Sequence, residues 1–325
     1  MDKIDLNEVC RHYRVRVIRA TPLEDCFLLE TNRGPKEIRI WPRVDVMRWS
    51  FAWRERLARQ GFRNLERFIR TRDAKPFVLV GKRGVTMTDH LRHIEACQPG
   101  EELAVQCGRV IGMMHAVQQE SPLLAGAEYL QQEKLRAEAE WNRAKAMAES
   151  YRQSIGRESG RRRWVGELMT PLLQRMERSA TMLSHPSITP ESVSVSHRYL
   201  TRDNWGMVNE KLYLTGFFRP ALSVQLRDVA GYLRELYLTH ADIKQIDSFL
   251  DGYEGEKPLS YGDYTLLLAM MARPREIWKS ISSFVEKAAQ GERVSTAEIE
   301  RALECQQSID QLLRHIADRA ERARG

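Results

Sequence analysis

The chain has 325 residues, of which 42% are hydrophobic and 29% charged, enough to bury a sizeable core and not the make-up of a disordered chain. Its formal net charge is +7, with short arginine clusters at Arg157, Arg161, Arg162 and Arg163 and again at Arg314, Arg319, Arg322 and Arg324. Acids are interleaved almost everywhere, so the excess reads as a basic surface suited to an acidic protein layer, and no nucleic-acid partner is expected.

The opening stretch, MDKIDLNEVCRHYRV, has no apolar core of a signal peptide, and the longest apolar run, Leu266 to Ala272, is too short to cross a bilayer. Synthesis in the cytosol and no membrane insertion are expected. Residues 13–18 alternate polar and apolar, as a strand would, and 26–31 and 36–41 repeat the signal around the turn Asn32-Arg33-Gly34. Residues 44–60 have helical spacing, with Val46, Trp49, Trp53 and Leu57 on one face and Gly61 as the stop. Residues 77–80 and 85–88 read as a hairpin around Gly81-Lys82-Arg83-Gly84.

From about residue 100 the chain turns helical, at 101–118, 127–153 and 163–184. A loop marked by Pro186 and Pro190 leads to short strand-like pieces at 206–208 and 212–215. Helices resume at about 225–239, 241–252, 259–272, 274–290 and 296–320; the last is expected to open on a capping box, Ser295-x-x-Glu298. The five cysteines are scattered and never form C-x-x-C, so neither a disulfide framework nor a zinc site is expected.

Between the helices, His197-Arg198-Tyr199-Leu200-Thr201-Arg202-Asp203-Asn204 has the spacing of a kinase catalytic loop, H-x-D-x-x-x-x-N, with tyrosine in the aspartate position. A β-rich small lobe, a short crossover and a helical lobe with one β island predict an α+β, bilobal protein-kinase-like fold. The expected division is 1–90 for the small lobe and 91–325 for the helical lobe, which would hold the island 195–219.

These phrases together resemble the bacterial spore-coat kinase-like proteins (the CotS-type family), relatives of aminoglycoside and choline phosphotransferases. The resemblance runs over nearly the whole chain, through Arg59-Gln60-Gly61-Phe62-Arg63-Asn64, Lys75-Pro76-Phe77-Val78 and Ile111-Gly112-Met113-Met114-His115. It continues in the island, in Leu226-Arg227-Asp228-Val229-Ala230-Gly231-Tyr232-Leu233 and in Arg273-Pro274-Arg275-Glu276-Ile277-Trp278. It implies an aminoglycoside phosphotransferase-like fold, a place in the spore coat after synthesis in the mother cell, and other coat proteins as partners.

Phosphoryl transfer in this fold needs a loop over the phosphates, a third-strand lysine, a catalytic aspartate and metal ligands. The phosphate loop at 20–25 has no glycine and carries Glu24 and Asp25. The third-strand lysine falls at Arg39, for which Glu55 is one possible partner, and the hinge falls near Asp89; these two are the nucleotide-binding positions. Tyr199 replaces the catalytic aspartate, and a phenol with a pKa near ~10 is a poor proton acceptor at neutral pH. Asn204 matches the family's second-metal asparagine, but Gly216 stands where the metal-binding aspartate of a D-F motif belongs. Asp203 would point away from Asn204 if the segment were extended. His197 and Asp228 match positions expected to brace the loop. The catalytic set is therefore degenerate at His197, Tyr199, Asn204, Gly216 and Asp228, with Asn204 the one retained metal position. An inactive kinase-like coat component without a cofactor is expected. Under the alternative, an active small-molecule phosphotransferase with displaced ligands, ATP and Mg²⁺ would bind. Tyr199, Phe217 and Phe218 are large enough to fill the cleft.

Overall fold

Alternating apolar residues in the N-terminal third build one antiparallel sheet. The computed structural model describes residues 5–23, 26–93, 100–118, 126–156, 160–189, 193–197, 200–217, 221–292 and 294–324. They divide into two compact units, Met1–Gly100 with Arg202–Pro220 and Glu101–Thr201 with Ala221–Gly325.

In the first unit, α1 (Leu6–His12) precedes β1 (Val17–Pro22), β2 (Phe27–Thr31), β3 (Lys36–Trp41), α2 (Val44–Arg59), β4 (Val78–Val80) and β5 (Arg83–Asp89). The sheet order is β1-β2-β3-β5-β4, with Ile38 opposite Met87 on neighbouring strands. Leu29, Ile38, Val85 and Met87 form its buried face with Val9, Cys10 and Tyr13, whose hydroxyl donates to Val85 O at 3.1 Å. Residues 13–16, expected in a strand, instead follow the helix α1, which Asp5 caps by accepting from Asn7 N at 2.8 Å. The face of α2 also differs from the expected one. Met47, Ser50, Trp53, Arg54 and Leu57 are buried, whereas Trp49 is 39% exposed.

A small sheet completes this unit: β6 (Arg92–His93) pairs with β8 (Trp205–Val208), and β8 with β9 (Lys211–Leu214). Asn64 ties β9 to the segment after α2, donating from Nδ2 to Leu212 O at 2.8 Å and accepting from Leu214 N at 2.8 Å. These bonds explain why residues 202–217 group with the sheet although three helices of the other unit separate them from it in the chain.

The second unit holds α3 (Glu101–Val117), α4 (Gly126–Ile155), α5 (Arg161–Met182), α6 (Leu226–His240) and α7 (Ile243–Glu254), followed by α8 (Tyr261–Met271), α9 (Arg275–Ala289) and α10 (Ala297–Arg322). A two-stranded ribbon of β7 (Val193–Ser196) and β10 (Ala221–Val224) lies among them in sequence. Val165, Met169, Ile277, Ile281, Phe284 and Ile299 join α4, α5, α9 and α10 in one core. Helices α3 and α7 approach so closely that a Cβ on Gly108 would sit 1.9 Å from Phe249 O, and one on Gly252 2.1 Å from Val105 O. The capping box forms at α8, between Ser260 and Asp263. At α10 the N-cap is Thr296, and the expected box from Ser295 to Glu298 is not made.

Among the described residues no helix is long and apolar enough to cross a membrane. Cys10, Cys26 and Cys107 are buried free thiols, and Cys305 is an exposed one.

Candidate functional site: the catalytic-loop-like island

The island is built in two parts, one in each unit. In the helical unit, β7 ends at Ser196, and His197 follows. Asp228, in the first turn of α6, accepts from Ser196 Oγ and from His197 N, each at 2.8 Å. Asp228 and His197 are 3% and 6% exposed. A carboxylate in a helix's first turn is favoured by the helix dipole, and here both of its oxygens hold the chain as it enters the loop. Tyr199 and Phe218 lie outside the described residues, as do Glu24 and Asp25 of the loop between β1 and β2.

In the sheet-containing unit, Arg202–Asn204 is a single 3-10 turn leading into β8. Asn204 is half-buried, and its carbonyl accepts from Thr215 N at 2.7 Å and Thr215 Oγ1 at 3.1 Å. Successive side chains on such a turn are about 120° apart, so strand alternation does not set where Asp203 points. Asp203 is exposed.

Gly216 follows β9 with φ of +85°, a left-handed backbone that glycine adopts without strain. Its N–H donates to Glu66 Oε1 at 3.2 Å. Glu66 in turn is bound by Arg54, whose Nη2 lies 3.1 Å from the same oxygen and 3.1 Å from Phe217 O. Arg54 Nη1 donates to Glu66 O at 2.8 Å, and Nε to Ser50 Oγ at 3.3 Å. The guanidinium also lies 4.9 Å from the Phe68 ring centroid, a cation–π distance. Phe217 is 1% exposed and tilts against Trp53, ring centroids 4.9 Å apart, so it fills the core of this unit.

Arg54 and Glu66 are both nearly inaccessible, with side-chain exposures of 2% and 5%. Burial pulls the Arg54 guanidinium below its usual pKa, Glu66 opposes this, and the nearby Arg39 charge adds to the lowering. The pair survives burial because four protein oxygens and three aromatic rings, Phe68, Trp53 and Phe217, surround the charge.

The two positions expected from the sequence to meet a nucleotide, Arg39 and Asp89, are less specialised. Arg39 is half-buried on β3, opposite Thr86 of β5. Asp89 is exposed at the end of β5 and pairs with Lys36 at 2.6 Å. The Glu55 carboxylate, one candidate partner for Arg39, binds Arg67 at 2.8 Å and Arg70 at 3.2 Å.

Magnesium bound to triphosphate, which the fold implies, favours carboxylate oxygens, and the resemblance puts the metal-binding aspartate position at Gly216. That residue has no side-chain oxygen, and the carboxylate reaching its N–H is committed to Arg54. The residues here do not fit the ion. Among the described residues no group of three or more His, Cys, Asp or Glu is placed to hold a metal.

Sheet, ribbon and helices in this order define an aminoglycoside phosphotransferase-like fold. An aminoglycoside phosphotransferase from Alicyclobacillus acidocaldarius subsp. acidocaldarius DSM 446 superposes with a TM-score of 0.80 at 13% identity, over 99% of this chain and 98% of that one. Amicoumacin kinase, in complex with AMP-PNP, Ca²⁺ and amicoumacin, gives 0.57 at 12% identity over 92% and 88%. Spectinomycin phosphotransferase in its AMP-bound complex gives 0.57 at 14% over 94% and 94%. Residues 179–316 match the family model described as "Spore coat putative kinase YutH", in agreement with the resemblance read from the sequence. No curated protein matches the chain.

Sequence spacing alone does not single out Arg54 and Glu66, yet the signal is present. Met47, Ser50, Arg54 and Leu57 keep the spacing of a buried helical stripe, and an arginine on such a stripe requires a buried acid.

Proposed function

We propose that the chain is a catalytically inactive phosphotransferase-like protein serving as a structural or assembly component of the bacterial spore coat. The observation that carries the inactivity is Gly216. The position that needs a metal-binding carboxylate presents a backbone N–H to Glu66, and Glu66 is neutralised by Arg54. Tyr199 removes the general base as well, a contribution of roughly 10²–10⁴ in rate where it exists. The bracing of the loop by Asp228 is kept while the chemical groups are gone, as a scaffold requires.

The coat role rests on the family match over residues 179–316. Synthesis in the mother cell, deposition on the coat and other coat proteins as partners belong to the same proposal, and the net charge of +7 suits an acidic layer. The test is thermal denaturation with ATP, with and without Mg²⁺, together with an assay for phosphoryl transfer. Inactivity predicts no Mg²⁺-dependent stabilisation and no transfer. Transfer that is lost in Asn204→Ala would establish the alternative, an active phosphotransferase.

A further inference from the structure

The helical unit holds a pocket of about 380 Å³ between α4, α5 and the start of α9. The size is that of a small-molecule site. Ala144, Met147, Met176 and Trp278 supply apolar lining. The pocket is also lined by Arg143, Arg273, Arg275 and Lys279, against two acids, Glu140 and Glu286. Arg143, Arg275 and Lys279 are exposed and make no ion pair or side-chain hydrogen bond among the described residues.

Arg273 differs from these in being 5% exposed and poorly satisfied. Its Nη2 is 3.4 Å from Glu133 O, and the Glu133 and Glu140 carboxylates are each 3.8 Å away. Its Nε has no hydrogen-bond partner among the described residues. A buried guanidinium held by contacts this long leaves part of its desolvation cost uncompensated. α9 begins at Arg275 with Pro274 as N-cap, both residues line the pocket, and the Arg275 N–H donates to Arg273 O at 2.9 Å, which ties the buried arginine to the helix start.

We propose that this pocket binds a small organic anion. Its phosphate or carboxylate would sit at the start of α9 among Arg273, Arg275 and Lys279, and its apolar or aromatic body against Met147, Met176 and Trp278. Glu140 and Glu286 limit the excess of positive charge in the pocket and so favour a single anionic head over a polyanion. The site stands apart from the question of catalysis, because none of its residues belongs to the island.

The probe is 1-naphthyl phosphate, titrated by calorimetry into the full chain, with 1-naphthol and inorganic phosphate as comparators. Sub-millimolar binding of 1-naphthyl phosphate is expected, with 1-naphthol weaker by at least ~10-fold. Arg275→Glu and Lys279→Glu should each weaken it by about 10-fold with an unchanged melting temperature, since neither residue has a partner to lose. Trp278→Ala should reduce the advantage of 1-naphthyl phosphate over inorganic phosphate. Absence of binding at millimolar probe, equal binding of 1-naphthol, or unchanged affinity in both charge-reversal variants would overturn the proposal.

Discussion

Removing the Glu66 carboxylate should destabilise the sheet-containing unit far more than an ordinary ion-pair mutation. In Glu66→Ala, Arg54 stays buried at 2% side-chain exposure with its counter-charge gone. It keeps contacts to Phe217 O and Ser50 Oγ, neither of which carries a charge. Breaking one side of a buried pair costs about 3–5 kcal/mol, against up to ~1 kcal/mol for an exposed pair such as Arg43–Asp45. Urea unfolding followed by tryptophan fluorescence measures the loss, because Trp53 packs on Phe217 beside the pair. Replacing both partners, as Arg54→Met with Glu66→Leu, should cost less than Glu66→Ala alone. The Gly216 amide, which loses its acceptor, should also exchange with deuterium faster in Glu66→Ala. A loss below about 1 kcal/mol with unchanged Gly216 exchange would refute the account of Arg54 and Glu66 as a buried pair that holds Gly216.

Two further outcomes follow from the helical unit. His115 is fully buried, with Nδ1 2.9 Å from Tyr253 Oη, and burial holds its pKa well below the usual value, with Lys257 adding to the shift. The folded state thus refuses a proton that the unfolded chain takes up below about pH 6.5, so stability is full above that pH and falls as pH drops, by up to ~1.4 kcal/mol per unit. His115→Gln should flatten the stability–pH slope between about pH 5 and 6.5 relative to the parent, and an identical slope would remove His115 as its cause. Gly108→Ala places a methyl 1.9 Å from Phe249 O and should cost about 1–3 kcal/mol in thermal unfolding; an unchanged melting temperature would contradict the close approach of α3 and α7.

Most of the helices and the strands at 27–31 and 36–41 are legible in the sequence, because burial of one face imposes the period that reveals them. The N-terminal helix Leu6–His12 is not legible, since seven residues are too few to show a period and its stability comes from the Asp5 cap and from Val9 and Cys10 packing on the sheet. The caps also mislead. Ser295-x-x-Glu298 and Ser260-x-x-Asp263 look alike in sequence, but only the second closes, and the N-cap of α10 falls one residue later, at Thr296. The two substitutions on which the proposed inactivity rests, Tyr199 and Gly216, are visible from the sequence alone. What holds Gly216 is not, because Glu66 lies 150 positions away and the two come together through the pairing of Asn64, Leu65 and Glu66 with Leu212 and Leu214.

The measurement that bears most directly on inactivity is phosphoryl transfer and thermal stabilisation by ATP, with and without Mg²⁺, in the parent and in Asn204→Ala. The prediction is no transfer and no Mg²⁺-dependent rise in melting temperature for either protein. A Mg²⁺-dependent rise in the parent, with transfer that Asn204→Ala abolishes, would show that the island still works as a phosphotransferase.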